Sequence, residues 1–399
     1  PTKGLILTGT VTGGVPDPGF TPEQWERLKR PRYSGCVSPG KDSACPLWVD
    51  YARASVRQAL DAGVDVELPS TDCYGAPLVR AVREGLANEA RVDEAVLRVL
   101  RMKFELGLFE NPFVDEDSVE AHFHTEAQHA FALKAAEKSL TLLKNDGALP
   151  ISEKIKKIAV VGPNADDVRN MLGDYSFPAH VESLIDQNDD NFASTPTPEG
   201  EYSVKDALPR MDSVLAGLKK YRADVQFTYA RGCGVLDGDD GEIEAAVEAA
   251  KDAELVVAVM GDKAGLILDC TSGEARDRAT LELPGRQREL LKRLKETGVP
   301  VALVLINGRP FSLTWEDANL SAILEAWLPG EEGALAISKA LFGEISPAGR
   351  LPITFPRAAG QVPVFYAHKP SGGKSHWKGA YVDESNLPLY AFGHGLTYT

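Results

Sequence analysis

The residues best suited to chemistry lie in one stretch, residues 266–285 (LILDCTSGEARDRATLELPG), which carries Asp269, Glu274, Arg276, Asp277 and Arg278. Glu274 stands between Gly273 and Ala275, so little local bulk covers its carboxyl group. A carboxyl on a small-residue loop can be projected into a neighbouring cleft, where proton transfer or nucleophilic attack is the chemistry open to it. The competing reading is a solvated charge run on a surface loop. The histidines His122, His124 and His129 follow one another at a helix entry. They read as solvated side chains, and no metal site is expected from them.

Whether Glu274 reaches a cleft depends on the elements that hold its loop. Residues 255–260 (LVVAVM) are apolar without alternation, as in a strand buried on both faces. Residues 286–296 have helical periodicity. In an open α/β sheet, the loop between such a strand and helix sits at the carboxyl end of the strand, where functional groups collect. The alternation recurs, with strands at 158–162, 225–229, 299–306 and 322–327 and helices at 214–221, 243–252 and 334–342. It predicts a mostly parallel sheet covered on both faces. The turn GPNADD after the strand at 158–162 lacks the glycines of GxGxxG, which argues against dinucleotide binding. Further upstream, residues 3–8 (KGLILT) and 64–69 (VDVELP) read as strands and residues 77–86 and 91–106 as helices. Residues 126–143 read as one long helix, and 144–150 (KNDGALP) as a turn.

A chain of 399 residues suggests two or three domains, and 43% hydrophobic with 25% charged residues is ordinary for a globular protein. No segment approaches the apolar length that spans a bilayer, so no membrane partner is expected. The net charge of −15 argues against a nucleic-acid partner, because phosphate binding needs a basic face. The five cysteines (Cys36, Cys45, Cys73, Cys233, Cys270) match no zinc spacing. They read as free thiols in a reducing compartment, with a local Cys36–Cys45 disulfide as the alternative. The first residues lack the apolar core and cleavage site of a signal peptide. A cytoplasmic location is therefore expected, and a leader upstream of Pro1 would make it secreted or periplasmic.

Ser272-Gly273-Glu274, Asp277-Arg278 and Leu281-Glu282-Leu283-Pro284-Gly285 together resemble the acid/base loop of glycoside hydrolase family 3, in its bacterial β-xylosidase/β-glucosidase branch. The resemblance runs through nearly the whole chain from Ala62 onward. It implies that Glu274 is the general acid/base. It also places Tyr175, Ser176 and His180 on a loop that reaches toward the sugar, the alternative being a capped turn before a helix. It implies no cofactor, a β-linked glycoside or oligosaccharide as substrate, and a homodimer as one compatible assembly. The runs AGVDVELPSTDCY and LRMKFELGLFENPFV resemble the end of the family's (β/α)8 barrel. The implied fold class is α/β: a barrel remnant over residues 1–110, a linker over 111–154, an α/β sandwich over 155–351 and an extended segment over 352–399. That last segment resembles the one preceding the family's C-terminal immunoglobulin-like domain. A complete barrel takes about 250 residues, so only the last two strand–helix units are expected here, with an open sheet edge.

Retaining glycosidases use two carboxyl groups about 5 to 5.5 Å apart, one as nucleophile and one as acid/base. In the family the nucleophile is an Asp in a Ser/Thr-Asp-Trp/Tyr context after a late barrel strand. The strand KGLILT is the best match, and Gly9-Thr10 follow it where Asp and an aromatic belong. Counting back from Gly63 instead puts Ser34-Gly35 on the Ser-Asp pair. Either register leaves glycine at the nucleophile position, and Asp17 and Asp50 stand in the wrong context. The expectation is a retaining, exo-acting β-glucosidase/β-xylosidase whose chain as it stands turns over no substrate. The alternative is a non-catalytic sugar-binding or assembly domain derived from one.

Overall fold

The computed structural model describes residues 56–68, 71, 73–186, 203–367 and 381–399. Gly9, the 3–8 segment, Asp17, the Ser34-Gly35 pair, Cys36, Cys45 and Asp50 lie outside the described residues. The chain divides into two units, Pro1–Val119 and Glu120–Thr399.

In the first unit, helical residues 56–61 lead to α1 (Ala76–Arg83) and α2 (Glu89–Glu105). Asn88 caps α2, its side chain accepting the Ala90 N–H at 3.0 Å, which satisfies a donor that the helix itself cannot. Val56, Leu60, Leu78, Ala81, Ala87 and Ala95 make a small core. Residues 64–68 correct the sequence reading, because they form no strand. A strand exists only where a neighbour takes up its N–H and C=O groups, and no described residue pairs with this one. Val66 and Leu68 are 52% and 75% exposed. The Val64 N–H donates to Ala59 O at 2.9 Å, and side chains hold the rest of the segment. The Tyr74 hydroxyl donates to Val64 O at 2.6 Å, and the Glu67 carboxylate accepts the N–H groups of Cys73 and Tyr74, each at 2.8 Å.

The second unit opens with α3 (Glu126–Ser139), started by a reciprocal capping box between Thr125 and Gln128. A six-stranded sheet follows: β1 (Thr141–Asn145), β2 (Lys157–Val161), β3 (Gln226–Ala230), β4 (Leu255–Gly261), β5 (Val301–Ile306) and β6 (Ala322–Glu325). The spatial order is β1-β6-β5-β4-β2-β3. All neighbours are parallel except β1 and β6. The long helix read over residues 126–143 is therefore corrected: it stops at Ser139, and the next residues form β1. Leu142 and Leu143 are both buried but belong to opposite cores. Consecutive residues facing opposite sides fit the period of a strand, not one helical face. β1 also lies ahead of residue 155, where the sequence reading opens the sandwich.

Among the described residues, α3 is followed by α4 (Phe177–Ile185), α5 (Val204–Ala207), α6 (Val214–Tyr221), α7 (Asp240–Lys251), α8 (Gln287–Glu296), α9 (Thr314–Asn319) and α10 (Gly333–Leu341). Alternate residues of the strands enter two separate cores. Val160, Val257, Val259, Val304 and Leu324 pack with residues of α3, α6 and α10. Val161, Val256, Ala258, Leu303 and Leu305 pack with α7 and α8. This is why the central strands read as unbroken apolar runs, since both faces are covered. Each Val or Leu so buried contributes about 1.5–3 kcal/mol against leaving it in water. α6 and α10 approach closely: a Cβ at Gly217 would lie 2.8 Å from Ala334 Cβ. Phe355 and Tyr390, from the extended C-terminal segment, join the second core.

Candidate active site

The connection from β2 goes outward to β3, and β4 then starts on the other side of β2. The carboxyl ends of β2 and β4 thus flank the topological switch point, where open α/β sheets form their crevice. The segment after β2 carries Asp174, Tyr175, Ser176 and His180, and the segment after β4 carries Glu274. They meet there. The Glu274 N–H donates to Asp174 Oδ2 at 3.0 Å, and the Tyr175 hydroxyl donates to Glu274 Oε2 at 2.5 Å. Both Tyr175 and Glu274 face solvent. His180 stacks on the Tyr175 ring, with centroids 6.2 Å apart and planes at 29°. Ser176 is the N-cap residue of α4, but its hydroxyl donates to Gly173 O at 2.7 Å and closes the preceding turn. The structure therefore brings Tyr175 and His180 together with Glu274 and gives the Ser176 hydroxyl a local partner.

The backbone on either side of Glu274 is unusual. Gly273 has φ +125°, and a Cβ there would lie 2.3 Å from Gly265 O. Only glycine satisfies both the dihedral and the contact. Ala275 has φ +56°, a left-handed conformation that most residues avoid. Glu274 is thus held on a tight turn at the rim of the loop.

Buried polar contacts fix the root of this loop. Asp262, directly after β4, is fully buried, and its Oδ1 accepts the Thr271 hydroxyl at 2.8 Å. Thr271 Oγ1 in turn accepts the Lys263 N–H at 3.1 Å. Arg169, from the segment after β2, pairs with Glu182 at 2.7 Å and donates to Ala264 O at 2.9 Å. Lys263 joins the network through Glu182 at 3.4 Å and Asp269 at 3.2 Å. The two segments that meet at the switch point are therefore tied together below the surface as well as at Glu274. Burial pushes the Asp262 carboxyl above its ordinary range, opposed by its Thr271 hydrogen bond and the nearby Arg309. The Tyr175 phenol is also raised, because it donates to the Glu274 carboxylate and ionisation would place two negative charges together. Beneath the site, burial pushes Glu325 to about 8.

The histidines are placed as follows. His124 Nδ1 lies 3.5 Å from Glu331, and His129 Nδ1 lies 2.9 Å from Glu332 and 3.7 Å from Glu331. His124, His129 and Glu331 could each offer one ligand atom to a metal ion, within 4.8 Å of one another. His129 lies in the first turn of α3, and Glu331 and Glu332 lie at the start of α10. These are the positive ends of two helix dipoles, which favour the carboxylates and disfavour a bound cation. His129 Nδ1 is within hydrogen-bonding distance of Glu332 Oε1. Among the described residues no helix is long and apolar enough to cross a membrane.

Sequence reasoning missed Asp174, Asp262 and Arg309. Asp174 adjoins Tyr175, and Asp262 and the Asn307-Gly308-Arg309-Pro310 turn sit at strand ends, where a position-based search would have found them. Nothing in their spacing shows that they converge on the loop that carries Glu274.

Known proteins resemble this arrangement. Residues 140–398 match the model of the glycosyl hydrolase family 3 C-terminal domain. The chain is 34% identical to a periplasmic β-glucosidase of Salmonella typhimurium, across 86% of this chain and 45% of that protein. It is 36% identical to a β-xylosidase of Formosa agariphila, across 87% of this chain and 44% of that protein. Among solved structures, a β-glucosidase involved in saponin metabolism from intestinal bacteria superposes with a TM-score of 0.68 at 33% identity, covering 87% of this chain and 48% of that one. The β-glucosidase of Listeria innocua in complex with isofagomine gives 0.67 at 29% identity, covering 87% and 45%. The chain spans less than half the length of each of these relatives. The matched family model takes in all six strands of the sheet and the loop that carries Glu274, and the chain belongs to glycosyl hydrolase family 3.

Proposed function

We propose that the protein derives from a retaining, exo-acting β-glucosidase/β-xylosidase and supplies the acid/base half of its active site. Glu274 is the general acid/base in this reading. It protonates the leaving oxygen as the glycosyl–enzyme bond forms, then takes a proton from the water that breaks that bond. The observation that carries the reading is the placement of Glu274 at the switch point, where Tyr175 and Asp174 orient its carboxyl and its backbone. Tyr175 and His180 form a ring pair beside it, suited to contacting a pyranose. The substrate class is a β-linked glycoside or oligosaccharide, and the relatives' names include both glucosidases and xylosidases.

The nucleophile is the missing partner. On the sequence resemblance, Gly9 occupies its position, and glycine has no side chain with which to attack. We infer that the chain alone hydrolyses neither aryl β-glucosides nor β-xylosides. Gly9 also favours a second reading, a non-catalytic sugar-binding or assembly domain. The two are separated by supplying the portion of the relatives that this chain does not span and placing an aspartate at position 9. The enzyme reading expects both changes together, and neither alone, to give hydrolysis with retained configuration. A binding domain gives none in any combination. In the completed protein still carrying Gly9, azide should serve as external nucleophile and yield a glycosyl azide of inverted configuration. Cys233 and Cys270 are buried free thiols, which suits a reducing compartment, although one relative is named as periplasmic.

A further inference from the structure

We propose that Asp262 and Arg309 form a buried positioning clamp that grips the acid/base loop on both sides of Glu274. The inference rests on the reading of Glu274 as acid/base and extends it to two residues outside the family-like motif. Asp262 Oδ1 accepts the Thr271 hydroxyl at 2.8 Å, three residues before Glu274. Arg309 Nη2 donates to Arg276 O at 2.6 Å, two residues after it. The clamp closes between them, with Arg309 Nε 3.7 Å from Asp262 Oδ2. Neither of those two atoms has a hydrogen-bond partner among the described residues, and the Arg278 guanidinium also acts on the Asp262 carboxylate. Asp262 is fully buried and the Arg309 side chain 18% exposed, so the attraction is only weakly screened.

Each arm of the clamp is itself anchored. Asp262 N–H donates to Ile306 O at 2.9 Å, and Asn164 Nδ2 donates to Asp262 O at 3.2 Å. Asn307 Nδ2 donates to Arg309 O at 2.7 Å. The carboxyl ends of β2, β4 and β5 therefore form one rigid base, and the clamp transmits its position to the loop. A general acid misplaced by a fraction of an ångström loses much of its effect, which gives such a device a purpose.

The test uses the full chain as Arg309→Ala, Arg309→Lys and Asp262→Asn variants, read by amide hydrogen exchange. Hydrogen bonds to charged groups are strong enough that Arg309→Ala should speed exchange at residues 273–276 about tenfold to a hundredfold. Amides of β4 and β5 should keep their parent rates. Arg309→Lys should recover part of the protection. Guanidinium ion, added to Arg309→Ala far below denaturing concentrations, should restore more. Asp262→Asn should reproduce the Arg309→Ala pattern, and the double variant should go no further, because both residues serve one clamp. Unchanged exchange at 273–276, or equal loosening of β4 and β5, would overturn the proposal, as would a lack of guanidinium rescue. The Glu274 reading is judged separately. If Glu274→Gln left acid catalysis intact in the completed enzyme, that reading would fail while the exchange result on the clamp stood.

Discussion

Glu325 shows how a single buried group reports on the ground beneath the site. It has no exposure, and its carboxyl group accepts hydrogen bonds from the Trp327 N–H at 2.8 Å and Asn307 Nδ2 at 3.3 Å. Burial therefore raises its folded-state value from 4.5 to about 8. A raised folded value means that the native state holds the proton more tightly than the unfolded chain. The stabilisation is full below the unfolded value and is lost as pH rises through the folded one, so it declines between pH 4.5 and about 8. Glu325→Gln should flatten that decline, as read from urea melts across this range. An unaltered slope would show that Glu325 ionises normally. Gly273→Ala tests the loop itself. Its φ of +125° and the 2.3 Å approach to Gly265 O predict a loss of about 1–3 kcal/mol. Thermal melts should register it, with the damage confined by exchange to the loop. Glu274 could be singled out as a candidate from the sequence because its small neighbours and the following Asp-Arg and LELPG elements lie within a dozen residues. Asp174 was not, because the contact that gives it meaning spans 100 residues.

At the scale of elements, the central parallel strands β4 and β5 were legible because burial on both faces leaves an unbroken apolar run. β1 was not. Its leucines continue the apolar pattern of α3 without a break in composition, and what separates them is pairing with β6, which no local pattern records. The strand read at residues 64–68 failed for the mirror reason, since its apolar alternation lacked a neighbour among the described residues. Helix packing offers a sharp test of the two-core arrangement. Gly217 in α6 lets Ala334 of α10 approach until a Cβ would sit 2.8 Å away. Gly217→Val should cost about 1–3 kcal/mol through overpacking. A matching Ala334→Gly change should recover part of it, and a double-mutant cycle in urea with no coupling would contradict the packing.

At the scale of the molecule, the unit Glu120–Thr399 contains the whole sheet, both cores and every described residue that meets Glu274. It should unfold in one cooperative transition, with the amides of β4 and β5 exchanging last. Residues 64–68, held by side chains and not by a ladder, should exchange early. Strong protection there would show that the segment is paired after all. The central claim, that Glu274 is the acid/base, is tested most directly by leaving-group dependence. The measurement is the hydrolysis of a series of aryl β-glycosides by the completed protein with aspartate at position 9, with and without Glu274→Ala. An acid is needed only when the departing group is a poor one. Glu274→Ala should therefore cost about 10²–10⁴-fold on poor leaving groups and little in the first chemical step on activated phenols. Azide should then intercept the glycosyl enzyme as a glycosyl azide of retained configuration. An equal loss across the whole series would contradict the assignment of Glu274.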